Sequence, residues 1–145
     1  MTLPAGRWSV PADPAGLARL QRDAGDWLRR AGVADAAAGR VLLALDELAA
    51  NIVHHAGLAA GACFEVELSR AAGGLLVRVS DAGPPFDPTA MQPVAARAAL
   101  DEVTIGGFGL GLVRQLARSM EYRREGGRNH VSLCFGLAQA SGAAG

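Results

Sequence analysis

Two polar side chains on one predicted helix have the types and the spacing of a phosphate-handling site. Glu47 and Asn51 are four residues apart, so they project from the same side of a helix. An asparagine carbonyl is a neutral oxygen ligand that suits Mg²⁺, and a nearby carboxylate can orient or deprotonate a hydroxyl nucleophile. The pair is also consistent with an ordinary solvated face, which we expect roughly opposite the apolar stripe of Leu45, Leu48 and Ile52.

A carboxylate at the end of a predicted strand is the second feature. Asp81 follows an apolar run, and Gly83 lets the backbone approach a ligand closely. A carboxylate in this position can accept a hydrogen bond from an exocyclic amine such as that of adenine. The same residues are also common in turns, so this segment alone does not identify a site.

A glycine-rich segment at the start of a third predicted helix is the third feature. Gly107, Gly109 and Gly111 leave the N-terminal amides of that helix free, and these amides suit phosphate. The spacing is not that of a dinucleotide fingerprint, and the P-loop is excluded because the segment has no lysine. A flexible hinge with close helix packing is the alternative.

Amino-acid composition excludes several classes of reaction and of binding partner. The chain has 145 residues, of which 50% are hydrophobic and 19% charged, with zero formal net charge. All 14 basic residues are arginines, so Schiff-base chemistry and the strand lysine of eukaryotic-type kinases are excluded. The balanced charge argues against direct nucleic-acid binding. No long apolar run or secretory signal is present, which predicts a cytoplasmic protein without a membrane span.

The two cysteines, Cys63 and Cys134, have no short spacing and lie in apolar stretches. We therefore predict small buried side chains in a reducing compartment rather than a zinc site or a redox pair.

The elements that must position these residues follow from periodicity and turn signals. Helices are predicted over 14–31, 35–56 and about 110–119, and strands over 8–10, 63–69, 75–80, 121–125 and 130–135. This order indicates an α+β two-layer sandwich with a mixed, mostly antiparallel sheet and helices on one face. One domain spans 1–145, with a core over about 10–137 and a flexible tail over 138–145. Residues 81–107 are predicted to form a functional lid that includes Arg97 and a short helix over 94–100.

In this order, the three features resemble one family. Residues 45–56, 81–88 and 106–112 look like the N, G1 and G2 boxes of the GHKL (Bergerat-fold) ATP-binding superfamily, which includes gyrase, histidine kinases and MutL. The short chain, the compact lid and residues 122–131 are similar to the anti-sigma factor serine/threonine-protein kinase branch, which regulates bacterial sigma factors by partner switching. The resemblance covers residues 10–137.

The resemblance implies a role for each matching residue. Asn51 would coordinate the Mg²⁺ that bridges the ATP phosphates, and Glu47 would be the base for the attacking hydroxyl. Asp81 would bind the adenine amino group in a pocket shaped by Gly83. The phosphates would be lined by the start of the third helix, at Gly107, Gly109, Leu110 and Gly111.

The resemblance also implies a function. The chain would phosphorylate a STAS-type anti-anti-sigma partner, sequester a sigma factor and form a homodimer. One position departs from the family pattern, because Pro85 stands where many relatives have a second glycine of the G1 box. The alternative function is a non-catalytic binding module that uses nucleotide only as a conformational ligand.

Overall fold

The computed structural model describes residues 3–55, 57–59, 61–90 and 105–137 of the chain. Its elements, in chain order, are β1 (Gly6–Pro11), α1 (Pro14–Arg30), α2 (Asp35–His55), β2 (Cys63–Ala71), β3 (Gly74–Asp81), a 3₁₀ turn (Pro88–Ala90), α3 (Ile105–Leu116), β4 (Ser119–Glu125) and β5 (Arg128–Gly136). Among these elements, no helix is long and apolar enough to cross a membrane.

The five strands form one sheet in the order β1-β2-β3-β5-β4. Each of the four pairings between the described strands is antiparallel. The predicted α+β two-layer class is therefore confirmed, and the described sheet is antiparallel throughout rather than mixed. The pairing of β3 with β5 brings the last residue of β3, Asp81, opposite Asn129.

The core lies between the helices and one face of the sheet. Alternate residues of β2, β3 and β5 are buried, and so is a stripe along α2. The largest fully buried side chains are Phe64, Leu28, Leu45, Leu68, Leu75, Leu110 and Leu133. The opposite face of the sheet is polar and is crossed by ion pairs such as Arg128 with Glu65.

Local sequence signals explain where several elements begin and turn. The Asp13 side chain accepts a hydrogen bond from Gly16 N (2.7 Å) and caps α1, whose first residue is Pro14. Gly126 and Gly127 have φ angles of 62° and 73° and form the tight β4–β5 turn.

The α3 helix begins at Ile105 and ends at Leu116, so the glycine-rich segment lies inside its first turns. The predicted burial of the cysteines is wrong, because Cys63 is exposed and Cys134 only half-buried. Strand alternation places Cys63 and Cys134 between core residues, on the outer face. The short helix over 94–100, Arg97 and the tail over 138–145 lie outside the described residues.

Candidate functional site

A cavity lies between the second half of α2, the ends of β3 and β5, and the loop that follows β3. It contains about 460 Å³ of empty space, counted together with the solvent at its mouth. Its lining combines apolar side chains with three buried polar ones, which suits a small-molecule site. The lining residues are Leu48, Asn51, Ile52, Val79, Asp81, Pro84, Phe86, Pro88, Asn129 and Val131.

Asp81 provides a fixed carboxylate at the end of β3. The residue is 7% exposed, and its Oδ1 accepts hydrogen bonds from Gly83 N (2.8 Å) and from Asn129 Nδ2 (3.1 Å). Within the described residues, its Oδ2 has no protein donor. One carboxylate oxygen is therefore saturated, and the other remains free to accept a hydrogen bond inside the cavity.

The loop after β3 is held by Asn129 of β5, which is 3% exposed. Asn129 Nδ2 also donates to Pro84 O (2.9 Å), and its Oδ1 accepts from Phe86 N (3.2 Å). Pro85 has no backbone N–H to donate. The N–H groups of Gly83 and Phe86, on either side of it, donate the hydrogen bonds that hold the loop. The departure at Pro85 is thus compatible with an ordered loop.

Asn51 provides the second polar group of the cavity. The residue is 6% exposed, and neither its Oδ1 nor its Nδ2 has a hydrogen-bond partner in the described structure. A buried amide without a partner is unusual and costs about 1–3 kcal/mol. Asn51 fits a ligand that carries both a cation and hydrogen-bond acceptors. Its Oδ1 can bind the cation, and its Nδ2 can donate to the acceptors.

The expected solvated face for Asn51 is wrong. Helical spacing places Asn51 on the buried stripe that begins at Ala37 and continues through Val41, Ala44 and Leu48. The apolar stripe noted in the sequence runs along only part of this buried face. α2 packs against α1 and also against α3, so its buried face is wider than a single stripe.

Glu47 lies one turn before Asn51 on α2, about 6 Å along the helix axis. It is half-buried, and it does not line the described part of the cavity. Burial raises the pKa of the Glu47 carboxyl above its ordinary value of 4.5, and the negative charge of Asp46 raises it further.

The glycine-rich segment lies in the first two turns of α3, which packs against α2. Gly107 is among the first four residues of this helix, whose amides have no partner within it. Gly109 and Gly111 lie beyond the first four residues. Leu110 is 1% exposed and belongs to the core. Leu110 and Gly111 do not line the described part of the cavity.

The structure thus brings Asn51 and Asp81 to one cavity, and Gly83 donates its amide to Asp81 from outside the cavity lining. Asn129, which the sequence analysis did not single out, completes its polar wall. The sequence shows Asn129 as a polar residue at a position of β5 where alternation predicts a buried side chain. Its role becomes clear only from the strand register, which places it opposite Asp81.

Comparison with known proteins identifies this architecture. The family model of the histidine kinase-like ATPase domain matches residues 10–135. The chain belongs to the histidine kinase-like ATPase family. This confirms the resemblance to the GHKL superfamily. The serine/threonine-protein kinase BtrW of Bordetella bronchiseptica is 33% identical over 117 residues, which cover 77% of this chain and 82% of that relative.

Two solved structures share the fold of this histidine kinase-like ATPase domain. The structure of the RsbU and RsbW domains of Rv1364c from Mycobacterium tuberculosis has a TM-score of 0.68 at 17% identity, over 93% of this chain and 33% of that one. The structure of the SiaB–SiaC complex from Pseudomonas aeruginosa has a TM-score of 0.60 at 17% identity, over 90% and 88% of the two chains.

Proposed function

We propose that the chain is an ATP-dependent serine/threonine protein kinase. The proposal depends chiefly on one observation, namely that Asn51, buried and without a partner, faces the same cavity as the half-free carboxylate of Asp81. In a histidine kinase-like ATPase domain this pairing suits a nucleotide, whose base and phosphates need different groups at the two ends of one pocket. The kinase relative at 33% identity supports phosphoryl transfer as the activity.

Each residue has a proposed role. The free Oδ2 of Asp81 accepts a hydrogen bond from the adenine amino group, and Gly83 fixes the orientation of that carboxylate. The Asn51 carbonyl would hold Mg²⁺, and the ion would supply charge neutralisation on the triphosphate. The free amides of the first turn of α3, which include that of Gly107, contact the phosphates in this proposal. Gly109, Leu110 and Gly111 follow in the next turn of the same segment, and their amides are used within the helix.

Glu47 acts as the general base in this proposal. Its carboxylate takes the proton of a serine or threonine hydroxyl of the protein substrate as the hydroxyl oxygen attacks the γ-phosphorus. The bond between the γ-phosphorus and the β–γ bridging oxygen breaks, and ADP leaves. A raised pKa suits this task, because a stronger base accepts the proton more readily once it is ionised.

The proposed substrate is a STAS-type anti-anti-sigma protein, and the chain would sequester a sigma factor when that partner is phosphorylated and released. The partner-switching resemblance supports this assignment, and the SiaB–SiaC neighbour was solved as a complex of two proteins. A homodimer is part of the same proposal.

Calorimetry of ATP binding with and without Mg²⁺ tests the nucleotide step, and labelled ATP with a panel of STAS-type proteins tests the transfer. We expect Mg²⁺-dependent binding and labelling of a serine or threonine, and we expect Glu47→Gln to lose the labelling while retaining ATP affinity. If the chain binds ATP but transfers no phosphate to any of these partners, and Glu47→Gln behaves like the wild-type chain, the results would instead support the non-catalytic binding module. Absence of ATP binding would overturn both functions.

A further inference from the structure

Asn129 is the most highly connected buried side chain near the cavity. Besides its bonds to Asp81, Pro84 and Phe86, its Oδ1 accepts from Tyr122 Oη at 2.7 Å and from Arg124 Nη1 at 3.2 Å. The amide therefore joins the end of β3, the loop after β3 and the β4 strand at one point.

The surroundings of Asn129 allow only one orientation of its amide. Three donors face Oδ1, from Phe86, Tyr122 and Arg124, whereas two acceptors face Nδ2. A flipped amide would place NH₂ against the three donors. Both N–H groups are already used and Oδ1 is fully occupied, so the side chain has no group left to bind a ligand directly.

The bond from Asn129 to Asp81 has a consequence for the free oxygen. Because Oδ1 of Asp81 accepts from both Gly83 N and Asn129 Nδ2, the carboxylate cannot rotate without losing two hydrogen bonds. Its Oδ2 is therefore held in one direction. A fixed acceptor with no donor of its own discriminates strongly between ligands that carry a donor there and ligands that do not.

We propose that Asn129 is a positioning residue that gives the pocket its selectivity for a base with an exocyclic amino group. It acts through Asp81 and does not touch the ligand. Tyr122 and Arg124 hold the amide in the required orientation from β4. This inference rests on the proposed nucleotide-binding function and adds to it the residue that determines base selectivity.

The test compares ATP with the triphosphate of purine riboside, which lacks the 6-amino group. Calorimetry with the full chain gives a Kd for each nucleotide, and their ratio measures the contribution of the amino group. We expect the wild-type chain to prefer ATP by about tenfold or more. Asn129→Ala frees the Asp81 carboxylate to rotate, and the preference should fall to about twofold or less.

Two further variants guard against failure of Asn129→Ala to fold. Asn129→Leu retains the volume and removes both donors without adding a charge beside Asp81, and it should also abolish the preference. Tyr122→Phe removes one donor to Oδ1 and leaves the bond to Asp81, so the preference should fall only slightly.

Gln21→Ala is the matched control. Gln21 Nε2 donates to Leu42 O (2.9 Å), a part-buried bond between α1 and α2. Leu42 is nine residues, or about 13 Å of helix, before Asn51. This variant should lower thermal stability as Asn129→Ala does and leave the preference for ATP unchanged.

The outcomes separate the inference from the function. If Asn129→Ala and Asn129→Leu weaken the binding of both nucleotides equally and the preference survives, Asn129 is only structural and the inference is overturned, while nucleotide binding stands. Equal wild-type affinities for the two nucleotides would also overturn it. If the wild-type chain binds neither nucleotide, the proposed function fails, and the inference fails with it.

Discussion

The two ends of the cavity are built in opposite ways. At the proposed base end, formed by Asp81 and Asn129, the Asp81 Oδ1 and the whole Asn129 amide are saturated by hydrogen bonds within the protein. At the proposed phosphate end, the Asn51 amide is equally buried and has no partner in the described structure. The base end is thus organised before a ligand arrives. The phosphate end retains an uncompensated polar group, whose cost a ligand would relieve.

This difference predicts that substitutions at the two ends change stability in opposite directions. Removing a saturated amide leaves its former partners without hydrogen bonds. Removing an unsatisfied amide removes a cost that the folded protein already carries. Substitutions at each end therefore test this contrast directly.

Asn51→Leu should have the largest effect. We expect Mg²⁺-dependent ATP affinity to fall by about 100-fold or more, because the oxygen ligand is lost. The free energy of unfolding of the nucleotide-free protein should rise by about 1–3 kcal/mol, because an apolar side chain replaces a buried amide without partners. Calorimetry and urea denaturation measure the two quantities.

Asn129→Ala is the counterpart of Asn51→Leu, and in urea denaturation it should change the free energy of unfolding in the opposite direction. It should lower the free energy of unfolding, because five hydrogen bonds are lost. If both variants lower stability by similar amounts, Asn51 has partners in solution and the contrast between the two ends is wrong.

Asp81→Asn should have the next largest effect. The amide can keep an oxygen toward Gly83 N and Asn129, and its NH₂ then replaces the free acceptor in the cavity. We expect ATP affinity to fall by about tenfold or more, with a smaller loss for inosine triphosphate, whose 6-oxo group accepts a hydrogen bond. The Mg²⁺ dependence of binding should remain.

Asp87→Asn is the control for this substitution. Asp87 is exposed in the same loop, and its side chain accepts from Thr89 N (2.8 Å) rather than facing the cavity. An equal loss of ATP affinity in both variants would mean that the loop's charge matters and the Asp81 contact does not.

The contrast between the two ends also shows what the sequence could and could not predict. Asp81 and Gly83 were recognisable because a strand end and a turn are both local signals. Asn129 was not, since its role depends on the pairing of β3 with β5, which brings together residues 48 positions apart. The burial of Asn51 was missed because α2 is covered on two sides.

The helices also show that local sequence signals are predictable and that the effects of tertiary packing are not. The ends of α1 and α2 were predicted within about one residue because a proline, a glycine and a long apolar stripe mark them. The start of α3 was placed too late, because glycine costs about 0.5–1 kcal/mol in a helix and indicates a turn. Packing of Leu110 and Val113 in the core favours the helix over this local preference.

Arg124→Gln should have a smaller effect at the base end. Arg124 Nη1 donates to Gly83 O (2.7 Å), so it supports the loop from outside the cavity. We expect ATP affinity to fall a few-fold, on the order of 0.5–1.5 kcal/mol. Arg123→Gln is the matched control, because this neighbour points to the other face and pairs with Glu125. Equal effects in the two variants would indicate a general charge effect.

The smallest expected effect concerns the pH dependence of phosphoryl transfer. Glu47 must be ionised to accept a proton, so the rate should fall as the pH drops through its raised pKa. Burial and the charge of Asp46 both raise this pKa, and Asp46→Asn removes only the charge. The acidic limb of the pH–rate profile should therefore move to lower pH, and it should remain above the ordinary value of 4.5 because burial persists.

The same shift should appear in the stability of the protein, with a sign that can be checked independently of activity. Between 4.5 and the raised pKa of Glu47, the folded chain binds more protons than the unfolded chain. The free energy of unfolding contributed by this group therefore decreases as the pH rises through that window. Glu47→Gln should abolish this component of the pH dependence, and Asp46→Asn should narrow the window from its upper end. A pH profile of stability that neither variant alters would mean that Glu47 has an ordinary pKa, and its assignment as a tuned base would lose its physical support.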